Sequence, residues 1–161
     1  MHRVAQFVAH VRARVTPDQE AFASSLLPAG ATRLFAGMPV ADRRHGLEVA
    51  RRLLAAGLDD PELLSAALLH DAGKGHRLRL WHRVAAVLIQ AVAPRMLTRM
   101  ASPDPASAGY PFHLYLEHGP ISADAALAAG CSPRTAGFIR GPVSEADAPL
   151  AAALHAADRA S

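Results

Sequence analysis

No stretch of the chain alternates apolar and polar residues with the period of two that marks a strand. Apolar positions recur instead three and four apart, and helix punctuation separates the blocks. In MHRVAQFVAHVRARV, Val4, Phe7, Val8, Val11 and Val15 share one face, which predicts an amphipathic helix docking onto the rest of the chain. Thr16-Pro17-Asp18-Gln19 supplies an N-cap, a proline at the first helical position and a capping-box partner; Pro28 closes that helix. PAGATRLFAGMPVAD (28–42) reads as a loop leading into a helix that begins near Asp42 or Arg43 and ends at Gly57. Asp60-Pro61-Glu62 opens ELLSAALLHDA, with Gly73 as its C-cap glycine. Residues 78–100 predict a long apolar helix kinked or split at Pro94, and residues 102–111 a loop. Gly119-Pro120 opens a helix ended by Gly130, Ser132-Pro133 a short one ended by Gly141-Pro142, and Asp147 to Arg159 forms the last. The expectation is an all-α, single-domain helical bundle of about six to eight helices.

Composition supports this. At 161 residues the chain can bury a core without disulfides. It is 51% hydrophobic but poor in aromatics, and alanine, leucine and arginine, its favoured residues, head the helix-propensity ranking. The single cysteine, Cys131, excludes an internal disulfide, reads as a small buried hydrophobe and fits a cytoplasmic protein. The longest apolar run, VAAVLIQAVA (84–93), is about half a bilayer span. The N-terminus lacks the uninterrupted apolar stretch of a signal peptide; its arginine-rich, acid-free character is shared with transit peptides, but docking is the preferred reading.

Net charge is only +3, but it is unevenly spread. No acid lies between Asp71 and Asp104, whereas Lys74, Arg77, Arg79, Arg83, Arg95 and Arg99 give six positive charges, so the rest of the chain sums to 3 − 6 = −3. Such a block attracts phosphates or an anionic membrane surface, or else it is a helix flanked by solvated arginines. For residues 77–100 the favoured expectation is a helix packed into the core, with membrane-surface contact the lesser one. Nucleic-acid binding is disfavoured, because Trp81 alone is no stacking platform.

Polar residues on apolar faces carry the candidate chemistry. His45 shares a face with Val49 and Leu53; His70 follows Leu63, Ala66 and Ala67, with Asp71 beside it; Asp158 lies four and eight residues after Leu154 and Leu150. Three helices each send an imidazole or carboxylate inward. A buried carboxylate is costly unless it is paired or bound to a cation. These side chains are either hydrogen-bonded core residues or ligands of a divalent metal, which accepts neutral imidazole and carboxylate together. Gly-x-Ser-x-Gly and His-Glu-x-x-His are absent. Gly73-Lys74-Gly75 is no phosphate loop either, since Leu68 and Gly75 stand where glycine and Ser or Thr are needed. Lys74 is the one lysine among 17 basic residues, the other sixteen being arginine.

The order His45 … His70-Asp71 … Asp158, in the contexts RHGLEVARRLLAAG, ELLSAALLHDAGKGH and LAAALHAADRA, resembles the HD-domain superfamily of metal-dependent phosphohydrolases. HDAGK is similar to the family's His-Asp-x-Gly-Lys. The resemblance runs from about residue 42 to 158 and is strongest over 43–76. It implies one HD-type domain, with residues 1–41 as an N-terminal helical extension and 42–158 as the core. It further implies that His45, His70, Asp71 and Asp158 hold one divalent metal (Mn, Fe, Co, Ni, Zn or Mg), with Lys74 beside it. His118, in EHGPISADAALAAG, is similar to the next histidine of two-metal members and is equally readable as a surface residue. Their His-His pair is missing, FIRGP standing in its place, which argues against a second metal and against cyclic-dinucleotide chemistry.

The implied activity is hydrolysis of a nucleotide or other small phosphoester by metal-activated water, with Asp71, Lys74 and His118 as catalytic residues. Asp71 would orient the water, Lys74 meet the phosphoryl charge and His118 carry a proton. The alternative is a catalytically weak or inactive HD-type binding or regulatory module with a structural metal. Substrate, metal and oligomeric state are left open.

Overall fold

The computed structural model describes residues 14–141 and 143–161. Among them are nine α-helices, one 3₁₀ turn and no strand, so the chain is all-α. In order they are α1 (Pro17–Leu26), α2 (Ala29–Gly37), α3 (Val40–Ala55), α4 (Pro61–Leu69), the 3₁₀ turn (Ala72–Lys74), α5 (Leu80–Val92), α6 (Pro94–Met100), α7 (Tyr110–Ala128), α8 (Pro133–Arg140) and α9 (Ala148–Arg159). The amphipathic segment expected at the N-terminus lies outside the described residues, apart from its end at Val15, which packs against the core.

Local chemistry sets several starts. The Thr16 hydroxyl accepts from the Gln19 N–H at 3.3 Å, and the Gln19 side chain accepts from the Thr16 N–H at 3.0 Å, completing the capping box of α1. Asp60 accepts from the Glu62 and Leu63 N–H groups ahead of Pro61, and Ser132 accepts from the Thr135 N–H ahead of Pro133. The break at Pro94 falls between α5 and α6 as expected.

Three elements depart from the sequence reading. Residues 29–37, expected to be loop, form α2, because Ala31 and Phe35 sit one turn apart and both bury into the core. Helix α3 accordingly starts at Val40 rather than at Asp42 or Arg43. Helix α7 starts at Tyr110, with Pro111 in its first turn, and runs through Gly119-Pro120, where a helix start was expected. Packing of α7 against both the 3₁₀ turn and α8 offsets the hydrogen bond that Pro120 cannot make.

The core centres on α4, whose residues Leu63 to Leu69 are all buried, with α1, α3, α7, α8 and α9 against it. Cys131 is half-buried against this core, and burial pushes its thiol up. A smaller cluster of Ala86, Leu97 and Phe112 ties α5 and α6 to α7. Residues 77–100 were expected to be core, but only Leu78, His82, Ala86 and Leu97 in that stretch are buried. Ala85 and Ile89 are partly buried beside them, and the other large apolar side chains of α5 and α6 are exposed, because only one narrow side of the pair meets α7.

Candidate functional site

Helix α3 brings His45 to the end of α4 because Gly46 lets the two backbones meet. A Cβ at Gly46 would lie 2.9 Å from the carbonyl oxygens of both Ala67 and Leu68. Helix α4 stops at Leu69, so His70 and Asp71 lead into the 3₁₀ turn rather than continuing to a cap at Gly73. Gly73 serves a different purpose: a Cβ there would be 2.7 Å from the His118 carbonyl oxygen and 2.8 Å from the Ser122 nitrogen. The turn is thereby seated on α7, and the Gly73 N–H donates to the buried Ser122 hydroxyl at 2.8 Å.

Helix α9 supplies Asp158. His45, His70 and Asp158 each offer a donor atom, all within 4.8 Å of one another. Asp158 Oδ1 lies 2.7 Å from His45 Nε2 and 3.4 Å from His70 Nε2, and the two imidazoles meet edge to face at 5.1 Å. Asp71 Oδ1 stands 3.5 Å from His70 Nε2, while its Oδ2 accepts from Lys74 Nζ at 2.5 Å. All four of the expected ligands therefore border one small volume, three of them in a tight cluster and Asp71 at its buried side.

The protonation pattern shows what that volume wants. His70 Nδ1 donates to the Ala67 carbonyl at 2.9 Å, which turns Nε2 toward the two carboxylates. Among the described residues, neither His70 Nε2 nor Asp71 Oδ1, both buried, has a hydrogen-bond partner. A lone pair facing two carboxylate oxygens is repulsive unless a proton or a metal cation lies among them. Two imidazoles and two carboxylates are a donor set that borderline divalent cations accept, and the backbone bond fixing the His70 tautomer is the usual support for a ligand histidine. The chain's own residues fit a divalent cation.

The pKa shifts follow from the same crowding. The His45 hydrogen bond, with help from His70, holds the Asp158 carboxyl far below the usual carboxylate range. Burial alone would raise the Asp71 carboxyl, but His70 and Lys74 outweigh it and keep it low. Burial would likewise lower His70, but Asp158 and Asp71 outweigh it and raise the imidazole.

His118 lies on α7, partly buried, with Nδ1 donating to the Tyr115 carbonyl at 2.8 Å. Burial and the Lys74 charge depress its pKa, so it is neutral near pH 7, and its Nε2 makes no hydrogen bond among the described residues. It lines a cavity of about 330 Å³ together with Lys74, Arg83, Gln90 and Tyr115. The cavity adjoins the four-residue cluster through Lys74.

Two further residues of this region were not singled out from sequence. Asp42 is buried, and Arg83 Nη2 donates to both of its oxygens at 2.9 Å. Ser122 anchors the turn. Neither announces itself in a sequence, since the partners lie 41 and 49 residues away. No family model matches the chain, and no curated protein or solved structure matches it either.

Proposed function

We propose that the chain is a metal-dependent phosphohydrolase of the HD-domain type, acting on a small phosphoester in the cavity beside Lys74. The observation that carries this reading is the convergence of His45, His70 and Asp158 donor atoms within 4.8 Å, with His70 Nε2 and Asp71 Oδ1 buried there and not hydrogen-bonded among the described residues. The spacing His45 … His70-Asp71 … Asp158 and its resemblance to the HD pattern support the same conclusion. A divalent cation held by His45, His70, Asp71 and Asp158 would supply Lewis-acid activation of water and of the phosphoryl group.

The remaining roles fall to the protein's own groups. Asp71 turns Oδ1 toward His70 and Oδ2 toward Lys74, so as a ligand it would hold the cation and orient the lysine together. Lys74 keeps one ammonium proton on Asp71 and turns the others toward the cavity, where they meet phosphoryl oxygens. His118, neutral on the cavity wall, can take or give a proton at the departing or attacking oxygen.

Protein purified without added metal should carry about one divalent ion per chain by elemental analysis, and should release phosphate from members of a panel of phosphomonoesters and diesters. Asp71→Ala should lose metal and hydrolysis together, by roughly a hundredfold, while circular dichroism stays helical. Lys74→Ala should keep the metal and lose about a hundredfold in turnover. Full metal occupancy in Asp71→Ala overturns the ligand assignment. Stoichiometric metal with no turnover on any phosphoester replaces the enzyme with a binding module.

A further inference from the structure

We propose that the outer face of α5 and α6 is a docking surface for an anionic lipid membrane. Trp81, Val84, Leu88 and Val92 recur three and four apart along one side of α5, and that side faces solvent. Trp81 is 60% exposed, Leu88 62% and Val92 84%. Val87 is exposed beside this stripe, and on α6 Met96 and Met100 are exposed as well. A stripe of large exposed apolar side chains along one helix of a small domain marks an interaction surface.

Charge selects the occupant. No carboxylate occurs from residue 72 to 103, and Arg77 and Arg79, just before α5, and Arg95 and Arg99, on α6, are exposed. None of these four is ion-paired among the described residues. A second copy laid face to face on this surface would set arginines against their own counterparts. The N-terminal segment is equally unsuited, since residues 1–15 contain Arg3, Arg12 and Arg14 and no acid. An anionic bilayer satisfies both features, with the apolar stripe at the headgroup–acyl boundary and the arginines on lipid phosphates. At 13 residues α5 is about 20 Å long and lies on such a surface rather than crossing it. Trp81 near the start of α5 is the side chain suited to that boundary.

The full chain tests this with vesicles of phosphatidylcholine alone and of phosphatidylcholine with phosphatidylglycerol. At low salt, co-sedimentation should be at least about tenfold stronger with the anionic vesicles and should weaken at high salt. Emission of Trp81, the chain's one tryptophan, should shift to the blue only with the anionic vesicles. Leu88→Glu with Val92→Glu should cut binding by about tenfold or more, and Arg95→Ala and Arg99→Ala by about fivefold each, with helical circular dichroism unchanged. No pelleting at low salt, or undiminished pelleting of the Leu88→Glu, Val92→Glu variant, overturns the proposal. It is also overturned by a dimer in light scattering that this variant splits while neither form pellets.

Discussion

Helices α4 and α5, of 9 and 13 residues, are both apolar, yet they end up in opposite places. Every residue of α4 from Leu63 to Leu69 is buried, whereas in α5 only His82 and Ala86 are. Five helices pack on α4, while α5 leans chiefly on α6 and α7. Apolar composition therefore predicts that a helix will be covered, but not by what. The polar groups at the ends separate the two. Helix α4 leads into His70 and Asp71, which turn inward to a shared site, whereas α5 and α6 are flanked by arginines that meet solvent.

Truncating one leucine in each helix breaks the comparison most sharply. Leu68→Ala in α4 should destabilise the protein by about 3–4 kcal/mol, because it empties a fully buried position. Leu88→Ala in α5 should change stability by less than about 0.5 kcal/mol. Urea unfolding measures both, and equal costs would mean that the α5 face is covered in solution.

Arg83 is the exception within α5, and it gives the next largest effect. Its side chain reaches back to the buried Asp42 of α3, pinning α5 to the helix that carries His45. Arg83→Met should cost about 2–3 kcal/mol, less than the loss expected for a wholly buried pair because the arginine side chain is a quarter exposed. Adding Asp42→Leu should restore much of the loss, since the stranded carboxylate is what is expensive. A double-mutant cycle in which the two losses simply add would show that the pair does not hold α5 in place.

The legible parts of this molecule were those encoded locally. Thr16, Asp60-Pro61 and Ser132-Pro133 mark helix starts because cap and helix are adjacent in sequence. Four-residue spacing put His45, His70 and Asp158 on the core-facing sides of their helices, and the structure brings the three together, although the Asp158 side chain stays 41% exposed. What escaped depends on distant partners. Helix α2 and the first half of α7 are held by packing that overrides their glycines and Pro120. The close approaches at Gly46 and Gly73 and the Asp42–Arg83 pair need coordinates. The exposure of α5 escaped for the same reason, since periodicity finds an apolar face without saying whether anything covers it.

Arginine sharpens the comparison a last time. Arg99 of α6 meets no carboxylate among the described residues, whereas Arg134 of α8 meets three, bridging Asp60 and Glu62 at the start of α4 to Asp147 at the start of α9. All three carboxyls are held low. Arg134 is the main cause for Asp147, and Ser132 and then Arg134 for Glu62; at Asp60 burial pulls upward, but the Leu63 N–H and Arg134 outweigh it. Folded values below the unfolded ones, near 4, mean that this stabilisation is complete above about pH 5 and is lost as pH falls through the folded values. Arg134→Gln should lower the melting temperature at pH 7 by roughly 2–4 °C, a modest shift because these pairs are partly exposed and screened by solvent. The gap between the two proteins should narrow steadily as the pH is lowered below about 4. Arg99→Gln should show neither effect. A pH-independent gap for Arg134→Gln would mean that its aliphatic stem and its stacking on Phe138, 4.9 Å away, hold the start of α4 rather than its charge.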